Sequence, residues 1–131
     1  MLKEQLELFE ESIQQKQINL ELKIEDPIHI YMNRYLAESM INNLIRNAIL
    51  HNNDTKLISI IIEKNTFTIT NSGEELTFSP DKIFDRFKRS VTDKKSLGIG
   101  LSVVKSICEL YQFNLSYFTK NKLHTFIIKF K

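Results

Sequence analysis

The chain has almost nothing with which to staple itself or to ligate a metal. Of its 131 residues one is cysteine and three are histidine. Cys108, His29, His51 and His124 show no metal-ligand spacing, so no zinc site is expected. Cys108 lies in the helical pattern SVVKSICELY and reads as a small core residue rather than a nucleophile. With two prolines and three glycines there is no low-complexity tract, and no internal repeat or second domain is visible. Neither charge dominates: 18 Lys+Arg stand against 16 Asp+Glu, a formal net charge of +2. Such a balance gives no argument for nucleic acid or an anionic membrane as partner. The longest apolar run, ISIII at 58–62, is far too short to cross a bilayer. No signal-peptide pattern opens the sequence, and the expected setting is aqueous and reducing. No G-x-S-x-G elbow or other mark of a nucleophilic hydrolase occurs.

What is present suits one compact domain: 42% hydrophobic and 26% charged residues over 131 positions. Leu2, Leu6, Phe9 and Ile13 are spaced 4-3-4, an a/d seam that predicts a helix over 1–15. That helix either packs on its own domain or trails from an upstream coiled-coil-like segment. INLELKI (18–24) alternates and reads as a strand, as does the shorter IHIYM after Asp26-Pro27. A long helix is predicted over 34–52 with Asn33 as N-cap. KLISIIIE and TFTITN are strands joined at Lys64-Asn65, a second helix runs from Gly100 to Tyr111, and NLSYF and HTFIIKF are the last strands. The pattern predicts an α/β sandwich, one mixed sheet with about three helices on one face.

Four stretches carry chemistry. In NNLIRNAILHN (42–52), Asn43, Asn47 and His51 recur every four residues and form a stripe in or beside the apolar face of Leu36, Met40, Leu44 and Ala48. A buried carboxamide without a partner costs about 1–3 kcal/mol, so two of them one turn apart need a reason. In SLGIGLSVV (96–104), Gly98 and Gly100 precede a helix, whose free N–H groups and partial positive charge suit a phosphate. The pattern is neither the dinucleotide fingerprint, because Val103 stands at the third glycine position, nor a P-loop. IFDRFKRS (83–90) interleaves Phe84 and Phe87 with Arg86, Lys88 and Arg89, and ITNSGEEL (69–76) ends a strand in Asn71-Ser72-Gly73. Taken singly, each also reads as ordinary structure. The 72–97 stretch lacks strong periodicity, which inside a compact domain points to function.

Together, in order and spacing, these stretches resemble the ATP-binding catalytic domain of two-component sensor histidine kinases, the GHKL or Bergerat-type fold. NLIRNA (43–48) is similar to that family's asparagine box, TNSGEE (70–75) to its first glycine box, IFDRF (83–87) to its phenylalanine box and LGIGLSVVK (97–105) to its second glycine box. The resemblance implies a two-layer α/β sandwich with a mixed five-stranded sheet over residues 17–131, residues 1–16 being the trailing helix of an upstream dimerisation segment or linker. It implies ATP and Mg²⁺ as ligands. Asn43 and Asn47 would be the catalytic pair, with Mg²⁺ held by Asn47. His51 would stand near the ribose or adenine. Asn71, where the family most often has aspartate, would read the adenine amine, Gly73 would admit the base, and Thr125 would support it. Gly98, Ile99, Gly100, Leu101 and Ser102 would line the phosphate end. Residues 76–97 would form a lid anchored by Phe84 and Phe87, whose Arg86, Arg89, Lys94 and Lys95 reach the phosphates.

Three departures from the pattern stand out: Leu50 in place of a phosphate-binding lysine, Glu75 in place of a second glycine, and Phe113-Asn114 where a glycine turn is frequent. The implied activity is transfer of the ATP γ-phosphoryl group to a histidine on a separate dimerisation domain of a parent chain. That domain would serve a response regulator, in a cytoplasmic domain of an inner-membrane-anchored parent, with no nucleic acid and no direct membrane contact. The alternatives are a serine kinase of the anti-sigma-factor type, disfavoured because Asn43 is not a glutamate base, and a degenerate module of the same fold used for nucleotide binding or protein contact.

Overall fold

A computed structural model describes residues 1–76, 79–84 and 100–131 of the chain. Its core is a five-stranded sheet in the order β1-β2-β3-β5-β4, where β1 is Asn19–Ile24, β2 Leu57–Glu63, β3 Thr66–Ser72, β4 Asn114–Lys120 and β5 Leu123–Lys129. The pair β1–β2 is parallel and the other three pairs are antiparallel. A parallel pair needs a crossover. Here it is the 17-residue helix α3, Arg34–Leu50. Helices α1 (Leu2–Leu8), α2 (Glu10–Gln15) and α4 (Gly100–Tyr111) complete the helical layer. The mixed five-stranded α/β architecture is the one the sequence pattern predicts.

Two hairpins close with left-handed residues: Lys64 (φ 47°) and Asn65 (φ 59°) between β2 and β3, and Asn121 (φ 53°) and Lys122 (φ 59°) between β4 and β5. Two consecutive positive φ angles match the twist of antiparallel strands, and no glycine is spent on them. Asn33 caps α3 as expected, its side-chain oxygen accepting from the Leu36 N–H at 3.1 Å. Met40, Leu44, Ile45 and Ala48 of α3 are each 1% exposed and pack with Ile58, Ile60, Ile69, Val104 and Ile128 in one core.

Two expectations fail. IHIYM is not a strand, although Ile28, Ile30 and Met32 are half-buried while His29 and Tyr31 are exposed. Alternation reports which side chains face the core, not whether a backbone partner exists, and β1 already pairs with β2. The helix over 1–15 is broken at Phe9 (φ −105°, ψ 4°) into α1 and α2. Ile13 is buried and Leu2, Leu6 and Phe9 pack partly on the core. The buried Gln5 accepts from the Asn42 amide at 3.2 Å, tying α1 to α3.

Candidate functional site

The α3 stripe is the ruler of the site. Asn43 lies at one end, its amide donating to the Ser39 carbonyl at 2.7 Å and lying 3.3 Å from the Ser39 hydroxyl. This leaves Asn43 Oδ1 turned toward α4. A Cβ built on Gly100, the first residue of that helix, would meet that oxygen at 2.9 Å. Four residues on, half-buried Asn47 makes no side-chain hydrogen bond to any described residue. Another turn on, His51 ends the helix, and its carbonyl oxygen would lie 2.6 Å from a Cβ at Gly73. Eight residues of helix span about 12 Å. One face of one helix therefore touches the start of α4 at one end and the end of β3 at the other, with an uncommitted amide between. The first turn of α4 carries N–H groups that have no intrahelical acceptor. Leu101 and Ser102 are half-buried there.

The β3 end is pinned from several sides. The Ser72 hydroxyl donates to Asn52 Oδ1 at 2.7 Å and accepts from the Leu57 N–H at 2.9 Å. The Asn52 amide donates to the carbonyls of Ala48 and Leu57 at 3.2 and 3.0 Å. Asn53 donates to the Gly73 carbonyl at 3.1 Å, and the Gly73 N–H donates to the Lys122 carbonyl at 2.9 Å. Gly73 has no room for a side chain: besides the His51 oxygen, the His124 ring would lie 3.0 Å from its Cβ.

Asn71 is the strangest group in the interior. It is 1% exposed, and its register partners are Ile58 and His124. Its amide donates to the Ser72 carbonyl at 3.0 Å. Its Oδ1 is the one buried side-chain polar atom without a partner among the described residues. An orphaned buried acceptor is costly, and what it lacks is an N–H or O–H donor.

Thr125 is not brought to this cluster. It pairs with Thr70, hydroxyl to hydroxyl at 3.0 Å. Strand alternation puts both on the sheet face opposite Asn71, Ile69 and Phe126. His124 stands in the register beside Asn71 instead. Its Nε2 lies 2.8 Å from the Glu74 carbonyl and its Nδ1 2.6 Å from the Tyr117 hydroxyl. Sequence reasoning overlooked His124, Tyr117, Asn52, Asn53 and Ser72. The signal for His124 is its period-2 spacing with Phe126 and Ile128, the spacing that also puts Asn71 in step with Phe67 and Ile69.

Phe84 is half-buried and meets Phe126 edge to face at 5.9 Å. Arg86, Phe87, Arg89, Lys94, Lys95, Gly98 and Ile99 lie outside the described residues, as does most of the expected lid. A cavity of about 470 Å³ beside α4, lined by Phe84, Lys105, Cys108, Glu109, Phe113 and Leu115 among others, shares no residue with the α3 stripe. Cys108 lies in the core, its thiol pushed up to about 11 mainly by burial, which makes it a poor nucleophile. Among the described residues no group of three or more His, Cys, Asp or Glu is placed to hold a metal ion, and no helix is long and apolar enough to cross a membrane.

Comparison with known proteins places this geometry. Residues 33–131 match the family model of histidine kinase-, DNA gyrase B- and HSP90-like ATPases. The heme sensor protein HssS of Staphylococcus haemolyticus (strain JCSC1435) is 33% identical over 109 residues, 79% of this chain and 24% of that one. The sensor histidine kinase HprS of Escherichia coli (strain K12) is 33% identical over 113 residues, 81% of this chain and 25% of that one. The chain thus spans about a quarter of the length of these relatives. Among solved structures, the catalytic domain of histidine kinase ThkA superposes with a TM-score of 0.79 at 22% identity, covering 97% of this chain and 88% of that one. Histidine kinase AdeS of Acinetobacter baumannii gives 0.77 at 22% identity, covering 98% of this chain and 61% of that one. At such identities the two structures speak for the fold alone.

Proposed function

The chain belongs to the histidine kinase-, DNA gyrase B- and HSP90-like ATPase family, and within it we propose that this domain is the MgATP-binding kinase module of a two-component sensor histidine kinase. Membership carries ATP binding with it. The further assignments, to Mg²⁺, to particular residues and to a histidine acceptor elsewhere in a parent chain, are ours. The observation that supports them is the α3 stripe, which reaches Gly100 through Asn43 and Gly73 through the His51 carbonyl and leaves Asn47 uncommitted between them.

The residues fit the ligand at both ends. The orphaned Asn71 oxygen asks for a donor, which the exocyclic amine of adenine supplies, and Gly73 keeps the backbone beside it bare. At the other end Gly100 opens a helix whose N–H groups suit phosphate oxygens. Asn47 would be the oxygen donor for Mg²⁺, a hard cation that takes oxygen ligands and retains waters. Bound there, Mg²⁺ would supply charge neutralisation to the triphosphate. A carboxamide contributes its oxygen without adding an anion beside that charge. Asn43, fixed by Ser39, guards the approach to α4. Phosphoryl transfer to imidazole needs positioning and charge stabilisation more than a strong base, and neither Asn43 nor Asn47 is one.

The chain's own histidines do not suit the acceptor role: His29 is on a loop, His51 ends α3 and His124 is buried and doubly bonded. The acceptor domain and the membrane anchor would belong to a parent chain, and the response regulator would be a separate partner served through that domain.

Calorimetric titration with ATP and ADP, with and without Mg²⁺, tests the reading. Binding is expected to strengthen with Mg²⁺ in the wild type, and Asn47→Ala is expected to abolish that dependence with the fold intact. No heat at millimolar nucleotide sinks the function. An unchanged Mg²⁺ response in the variant sinks the role of Asn47.

A further inference from the structure

We propose that His124 and Tyr117 are a coupled positioning pair that sets the Gly73–Glu74 turn, and through it how strictly the nucleotide base is read. The inference rests on the adenine-site reading above.

The Glu74 carbonyl can only accept, so the His124 Nε2 at 2.8 Å must carry a proton. In the neutral imidazole Nδ1 is then the acceptor, and the Tyr117 hydroxyl at 2.6 Å donates to it. Tyr117 keeps its proton, because burial holds its phenol above the usual range. One phenol hydrogen thus fixes both the tautomer and the ring orientation of His124. The two rings are nearly parallel, 14° apart with centroids 6.0 Å apart, and Tyr117 is held in turn against Phe126 at 4.8 Å. The ring so fixed is the wall that Gly73 meets, 3.0 Å from where a Cβ would stand. It is also the cross-strand neighbour of Asn71.

Two other contacts hold the turn to the β4–β5 hairpin: Gly73 N–H to the Lys122 carbonyl at 2.9 Å, and an exposed Lys122–Glu74 ion pair at 3.7 Å. The first fixes Gly73 and the second is solvated and weak. From inside, Asn53 holds the Gly73 carbonyl at 3.1 Å, and among the described residues the imidazole N–H is what holds the Glu74 carbonyl. Loosening it lets the turn tilt away from Asn71. A base seated on Gly73 then meets the Asn71 oxygen less squarely.

The test uses the 131-residue chain with ATP and with inosine triphosphate, which carries a 6-oxo group where ATP has an amine. In the wild type ATP is expected to bind more tightly. Tyr117→Phe removes the phenol hydroxyl that donates to His124 Nδ1 and keeps the ring. It is expected to weaken ATP about three- to tenfold, leave inosine triphosphate nearly unchanged, and so pull the ratio of the two toward one. His124→Ala is expected to do the same more strongly. His124→Gln, whose amide N–H can still reach the Glu74 carbonyl, is expected to recover part of the ratio. The preference between ATP and ADP, read at the far end of the stripe, is expected to stay constant throughout. If Tyr117→Phe lowers Tm or weakens both nucleotides equally with the ratio unchanged, the pair is merely structural and the inference falls while the function stands. A wild type that binds neither nucleotide overturns the function and this inference with it.

Discussion

Replacing Asn71 by leucine should make the empty protein more stable and the nucleotide-binding protein worse. The side chain is 1% exposed and its oxygen has no partner among the described residues. An unsatisfied buried acceptor costs about 1–3 kcal/mol, and a typical intramolecular hydrogen bond contributes about 1 kcal/mol net. Asn71→Leu removes the first and also forfeits the bond from its amide to the Ser72 carbonyl. The net is about 1 kcal/mol in favour of the variant. At about 2.1 cal/mol/K per residue the unfolding entropy of the 131-residue chain is about 0.28 kcal/mol/K, so Tm should rise by about 4 °C. Binding moves the other way. Without the acceptor, the adenine amine is desolvated against methyl groups, a loss of about 1–3 kcal/mol, or roughly five- to 150-fold in Kd. Thermal melts of the nucleotide-free protein and calorimetry with ADP give the two signs separately. A Tm that falls by several degrees with Kd unchanged would show that Asn71 serves the fold and not a ligand.

The two described glycines of the site should part company on substitution. Gly73→Ala forces a Cβ to within 2.6 Å of the His51 backbone oxygen, which cannot swing aside, and should cost about 1–3 kcal/mol, a Tm loss of about 4–11 °C. Gly100→Ala meets only the end of the Asn43 side chain at 2.9 Å, so melting should barely change while ATP affinity drops; equal Tm losses in both would refute the difference. Cys108, with its thiol pushed up to about 11, is thiolate in about one molecule in a thousand at pH 8, so Ellman's reagent should react slowly with the native protein and at once in denaturant. A full equivalent within minutes under native conditions contradicts its burial. On the sheet edge, Glu63 is pushed up by its hydrogen bond to Glu25 and by that neighbour's charge. Glu25 is pushed down, first by its hydrogen bond to Lys23 and then by Glu63. The Glu63 contribution favours the fold below the ordinary glutamate range and is lost as pH rises through its raised pKa. Glu63→Gln, which keeps the neutral form at every pH, should therefore melt slightly higher than wild type at pH 7 and alike at pH 4. A gain of the same size at both values would mean that the carboxyl pair is irrelevant.

Legibility in the sequence followed periodicity. The β3 pattern T-F-T-I-T-N put Phe67, Ile69 and Asn71 on one face, and the α3 pattern put Asn43, Asn47 and His51 on one stripe, so the groups that meet here were visible as polar residues at apolar positions. IHIYM misled because alternation records burial and not pairing. The break at Phe9 was invisible because Leu2, Leu6, Phe9 and Ile13 keep a helical spacing on both sides of it. Thr125 and His124 differ by one position, and one position on a strand is the whole difference between the two faces of a sheet. The resemblance matched HTF by its threonine, which the fold sets on the face opposite Asn71, with His124 on the Asn71 face. The cross-strand register Asn71–His124 is non-local and no window of sequence contains it.

The same groups explain why the site is built on α3 rather than on loops. Asn43 and His51 belong to a helix whose neighbours Leu44, Ile45 and Ala48 are each 1% exposed, so the stripe cannot slide without unpacking the core. The ligand-facing costs sit at its two ends: a glycine at the start of α4, a glycine after β3, and an acceptor left empty. Of these, the unsatisfied Asn71 oxygen is the one that lowers the stability of the nucleotide-free fold, while the two glycines keep the backbone bare at either end. In the proposed site these ends would hold the base and the phosphates, about 12 Å of rigid helix apart, so a ligand that fits one end and misses the other would use only half of the site.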